Sequence, residues 1–126
     1  MLVLDSGGFS RLSERSPRAL AFIEAFRADG MWPPMVPTVV LVESLRGHGS
    51  RDATANRFLK ACITEEHVST PLARRAAELR RTSRHGSAVD SLVVALAEPG
   101  GIVLTRDRED IEALASFTRG VCVELI

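Results

Sequence analysis

Short apolar runs alternate with helix-length stretches along the whole chain, and no other feature constrains the fold as tightly. Leu2–Leu4 is an unbroken apolar run ended by Asp5 and the breakers Gly7 and Gly8, the pattern of a strand buried on both faces. Ser16-Pro17, a capping residue followed by proline at the first helical position, opens a helix that stops at Gly30. Beyond the turn Trp32-Pro33-Pro34, a short strand is predicted at Met35–Val36, and Thr38 caps a helix that ends at Gly47. A polar loop through Gly49 and Ser50 leads to a helix reaching Leu59, and 66–69 reads as a weak strand. Thr70-Pro71 then opens a helix to about Ser83, and Ser87 caps a second one that stops at Pro99. Ile102–Leu104 is a strand, Asp107–Ala115 a helix and Val121–Ile126 the last strand. Five strands separated by helical crossovers predict a three-layer α/β/α sandwich around a parallel sheet. In such sheets ligands sit beyond the carboxyl ends of the strands, where the strand order reverses.

Length and composition fit one soluble domain over residues 1–126. Hydrophobic residues make up 45% and charged residues 25% of the chain. The longest apolar run, Leu92–Ala97, is far too short for a membrane span, and no secretory leader is read at the amino terminus. Cys62 and Cys122 form no CxxC pair and are expected to be buried free thiols in a reducing cytoplasm. A net charge of zero removes any whole-domain argument for nucleic-acid binding. Fifteen of the sixteen basic residues are arginines, however, and they are unevenly placed.

Acidic residues stand where ligands are expected. Asp5 follows the first strand directly, and Asp107 with Asp110 follows the fourth. Glu43 lies in VVLVESL and Asp90 in AVDSLVVALA, both apolar helices where a carboxylate is normally avoided. Carboxylates brought within about 4 Å repel by about 4 kcal/mol per pair at a near-surface dielectric. A divalent cation offsets that repulsion, and oxygen-only ligands select a hard ion, Mg²⁺ or Mn²⁺. Such an ion orients phosphates and activates water. Each acid also has a local reading: Ser87-x-x-Asp90 matches a capping box, Asp107 an N-cap and Asp5 a turn residue. Glu43 has no such local explanation.

VLDSGGFSRL, PTVVLVESLRG, SAVDSLVVALA and VLTRDREDIEALA occur in an order and spacing that resembles PIN-domain nucleases, most closely the VapC toxins of bacterial toxin–antitoxin pairs. The resemblance spans the chain, and its most specific piece is Thr105-x-Asp107-x-x-Asp110. It implies a mainly parallel sheet in the order 3-2-1-4-5 and a metal-dependent endoribonuclease that cleaves RNA phosphodiesters with metal-activated water. Asp5, Glu43, Asp90 and Asp107 match the family's catalytic acids. Asp5, Asp90 and Asp107 are implied to hold the ion, with Ser6, Thr105 and Asp110 supporting them. A cognate antitoxin, a homodimer and a cytoplasmic location are implied as well. Three departures stand out: Gly7-Gly8 replaces small apolar residues, Leu96 a frequent threonine, and the loop 99–101 is short.

One further feature concerns the substrate. Arg74, Arg80, Arg81 and Arg84 fall on one stripe of the helix opened by Pro71, opposite Leu72, Ala76 and Leu79. The stripe is either a solvated face or a surface that tracks RNA phosphates, with Arg74, Arg81 and Arg84 as the contacts. His48, His67 and His85 are scattered without metal-like spacing and are read as surface or structural residues. A phosphoacceptor signalling domain also gathers acids at strand ends, but it needs paired acids after the first strand and a lysine at a later strand end. Here Asp5 stands alone and the only lysine, Lys60, lies in a helix. A non-catalytic PIN-fold module that binds RNA or protein is the remaining alternative.

Overall fold

A computed structural model describes all 126 residues. The elements in order are β1 (Leu2–Leu4), α1 (Ser6–Ser13), α2 (Pro17–Ala28), β2 (Met35–Pro37), α3 (Thr38–Ser44) and α4 (Ala53–Leu59). They continue with β3 (Ile63–Glu65), α5 (Thr70–Ser83), α6 (Ala88–Ala97), β4 (Ile102–Thr105), α7 (Arg108–Ala115) and β5 (Cys122–Leu125). The five strands form one parallel sheet in the order β3-β2-β1-β4-β5. Val3 is opposite Met35 on one side and Val103 on the other, so β1 is the centre of the sheet. The chain steps one way as far as β3 and the other way afterwards. Right-handed crossovers therefore place the two sets of helices on opposite faces. Accordingly, α1 packs on α2, α3 and α4, while α5, α6 and α7 pack on one another. Leu2, Val3, Leu4, Val36, Val103 and Leu104 are essentially inaccessible, as sheet residues covered on both sides must be.

Four local expectations need correction. Gly7 and Gly8 do not break the chain: they lie in the first turn of α1, which Asp5 caps. A Cβ on Gly8 would stand 2.2 Å from the Leu104 carbonyl oxygen, so only glycine lets α1 start this close to β4. The third strand is Ile63–Glu65 rather than 66–69, because Met35, Val36 and Pro37 pair with Ile63, Thr64 and Glu65. Thr38 is the first residue of α3 rather than its cap, and the helix ends at Ser44. Cys122 is exposed on the edge strand β5, and Cys62 is half-buried; both are free.

On the far side of the molecule, Arg75 of α5 forks onto Glu98 at the end of α6, with bonds of 2.9 and 2.7 Å. Glu98 also accepts from the Arg119 backbone N–H, tying α5, α6 and the turn before β5 together. The arginine holds the Glu98 carboxyl below its ordinary pKa.

Candidate active site

Three helices begin at the carboxyl edge of the central strands, and each carries an aspartate at its cap or in its first turn. Asp5 is the N-cap of α1, and its Oδ1 accepts from the Gly8 N–H at 2.6 Å. Asp107 is the N-cap of α7, accepting from the Asp110 N–H at 3.2 Å. Asp90 is the third residue of α6, where its Oδ2 accepts from the Ser87 N–H at 2.7 Å and Ser87 Oγ accepts from the Asp90 N–H at 3.1 Å. The capping reading of Asp90 and Asp107 is therefore correct, and it does not compete with a shared site. The topology that puts β1 beside β4 brings the same three residues to the rim of one cleft. That cleft, of about 410 Å³, is lined by Asp5, Ser6, Gly7, Asp90, Arg106 and Asp107, with no apolar side chain.

Thr105 ties the site together. It has no exposed surface, and its hydroxyl donates a short hydrogen bond to Asp5 Oδ2 while accepting from the Asp107 N–H at 2.8 Å. One hydroxyl thus fixes both the carboxylate after β1 and the backbone after β4, a double role open only to a group that donates and accepts. Asp5 is 5% exposed. Burial, with the Asp90 charge added, raises its pKa despite the bonds from Gly8 and Thr105. The positive ends of three helices face this charge, and they lower the repulsion without removing it.

A hard divalent ion fits this donor set in charge and chemistry. Asp5 is a buried carboxylate with no ion-pair partner, and Asp90 and Asp107 each commit one oxygen to a cap and leave the other unbonded. The fit is one of charge and ligand type and not of a preformed cage: no three acids, histidines or cysteines are clustered tightly enough to make one.

Other expected residues lie elsewhere. Glu43 is exposed in the last turn of α3 and does not line the cleft. Its helix is apolar in sequence but not buried all round: Val42 beside it is 83% exposed. Asp110 does not line the cleft either; its carboxylate meets His85 Nδ1 at 3.0 Å. This contact braces the turn before α6 against α7, and with it the turns that carry Asp90 and Asp107. Arg106 is the lining residue that sequence reasoning missed. Its position between Thr105 and Asp107 was the available signal.

A model of the PIN domain matches residues 2–116. The chain belongs to the PIN domain family. Among solved structures, this PIN domain is similar to PAE2754 from Pyrobaculum aerophilum, with 13% identity, a TM-score of 0.64, and 97% of this chain and 89% of that one covered. It is similar to VapBC2 from Rickettsia felis, bound there to a DNA fragment from the VapBC2 promoter, with 12% identity, a TM-score of 0.68 and 100% and 99% coverage. FitAcB from Neisseria gonorrhoeae matches with 15% identity, a TM-score of 0.59 and 98% and 96% coverage. At these identities the likeness is one of fold. No curated protein sequence matches the chain.

Proposed function

We propose that this PIN domain is a divalent-metal-dependent endoribonuclease that acts as the toxin of a toxin–antitoxin pair. One observation carries the reading: the reversal of strand order brings three aspartates from three helix starts to a single wholly polar cleft. Asp5, Asp90 and Asp107 would hold Mg²⁺ or Mn²⁺, with Thr105, Ser6 and Asp110 supporting them and Glu43 as the fourth catalytic acid. A bound ion supplies neutralising charge at the phosphodiester and acidifies water for attack on phosphorus. The cleft contains no cysteine or histidine, and burial pushes the Cys62 thiol up to about 12, which leaves it inert. Hydrolysis without a covalent intermediate is the chemistry that such a site supports.

The partner readings rest on exposed apolar surface and on the resemblance to VapC toxins. A groove of about 300 Å³ between α2 and α4 is lined by Leu20, Ile23, Trp32 and Phe58, with three arginines, Arg15, Arg27 and Arg57, against one acid, Glu24. An amphipathic antitoxin helix with acidic edges suits it. A separate shallow groove, lined by Val39, Val68, Leu72, Leu92 and Leu96 with Glu65 and His67 beside them, suits a homodimer contact.

The test is cleavage of end-labelled single-stranded RNA. Mg²⁺ should be required, and Asp5→Asn or Asp90→Asn should lower the rate about 100-fold or more with an unchanged circular dichroism spectrum. Full activity in Asp5→Asn, or cleavage in EDTA, would refute the reading.

A further inference from the structure

Arg106 is the one cation among the six residues of the acidic cleft, and it pairs with none of the three aspartates. The arginine ion pairs elsewhere join Arg11, Arg75 and Arg108 to glutamates, and Arg106 forms none. An arginine beside several carboxylates normally forks onto one of them. Although Asp90 and Asp107 each keep one oxygen unbonded, the Arg106 guanidinium forms no ion pair with them, and Asp5 is held by Gly8 and Thr105.

Its stem is seated with some care. A Cβ on Gly7 would lie 3.0 Å from Arg106 Cβ, 3.1 Å from Cγ and 3.1 Å from its backbone nitrogen. Gly7 shows no left-handed backbone that would call for glycine, so this close approach is the reason for its glycine. Gly7 and Gly8 thus serve different purposes. Gly8 lets α1 approach β4, and Gly7 leaves room for the backbone and first side-chain carbons of Arg106 against α1 at the edge of the cleft.

We infer that Arg106 is a substrate-binding residue of this cleft, holding the non-bridging oxygens of the RNA phosphodiester presented to the aspartates. The inference rests on the nuclease reading above and adds the group that answers the charge of the substrate. A phosphodiester entering a cleft of three carboxylates meets like charge, and an ion held by those carboxylates is already largely neutralised by them. An additional cation that is not spent on the acids removes the remaining mismatch. Arginine's planar fork suits two oxygens on one phosphorus. No bond to the protein forms in this role.

The variants Arg106→Gln and Gly7→Ala test it, read by cleavage, by Mn²⁺ titration and by binding of a single-stranded oligoribonucleotide in an Asp5→Asn background. Arg106→Gln should lower kcat/KM about 100-fold, the scale of one lost charge-stabilising donor, and leave the Mn²⁺ affinity equal or tighter. It should also weaken oligoribonucleotide binding in the Asp5→Asn background. Gly7→Ala should shift cleavage in the same direction by less. Arg106→Gln cleaving within threefold of the unaltered protein would overturn the inference. So would an equal loss of Mn²⁺ affinity, which would make Arg106 a support for the acids. A chain that cleaves no RNA, yet loses oligoribonucleotide binding through Arg106→Gln, would overturn the nuclease reading and retain the phosphate contact.

Discussion

At the scale of single residues, two buried carboxylates carry opposite pH signatures. Asp5 has a folded pKa above its unfolded value, because burial and Asp90 disfavour its charge. Between those two pKa values the folded chain binds more protons than the unfolded one, so stability falls as pH rises through the folded pKa. At neutral pH without metal, Asp5 is therefore a charge that the fold tolerates at a cost. Asp5→Asn should raise the melting temperature in EDTA at pH 7 by about 2–5 °C, an advantage that shrinks as pH falls through the folded pKa and is gone below the unfolded one. Glu98 behaves in the reverse sense. Its folded pKa is depressed by Arg75, so its contribution is present above the unfolded pKa and is lost as pH falls through the folded one. Glu98→Gln should lower stability at pH 7 by about 2 kcal/mol and have little effect in acid. Thermal melts of both variants across pH 3–7 check the two signs together, and parallel profiles would contradict them.

At the scale of elements, α5 separates two uses of arginine on one helix. Arg75 is engaged with Glu98 and Glu78, whereas Arg74, Arg80, Arg81 and Arg84 are exposed and form no ion pair. Leu79 and Ala76 are buried on the opposite side, so the sequence period placed the stripe correctly. Replacing Arg74, Arg81 and Arg84 by Gln should weaken RNA binding uniformly across sequences and reduce the slope of log K against log salt by about 2. An unchanged slope would make the stripe a solvated face. The helices and strands with strong local signals were legible beforehand: Ser16-Pro17, the Ser87 capping box and the apolar β1 all act within a few residues. Helix α1 was not, because its two glycines answer to Leu104 and Arg106, about a hundred residues away. The third strand was misplaced by three residues for the same reason, since its register is set by β2. Asp5, Asp90 and Asp107 were readable from their positions after strands and on an apolar helix. The exposed side of α3 that carries Glu43 is not legible in the apolar sequence of that helix.

At the scale of the whole molecule, the site is a product of topology. The three aspartates belong to helices that start at residues 6, 88 and 108, and they line one cleft only because β1 and β4 are neighbours across the switch in strand order. Each acid has a modest local task as a cap, and the fold combines the three into a concentrated negative charge beside Arg106. The measurement that bears most directly on this account is a calorimetric titration of Mn²⁺ into the unaltered protein and into Asp5→Asn, Asp90→Asn and Asp107→Asn. The account predicts saturable binding that each substitution weakens by about tenfold or more, although the three residues lie on different helices. Mn²⁺ affinity left unchanged by all three substitutions would contradict it.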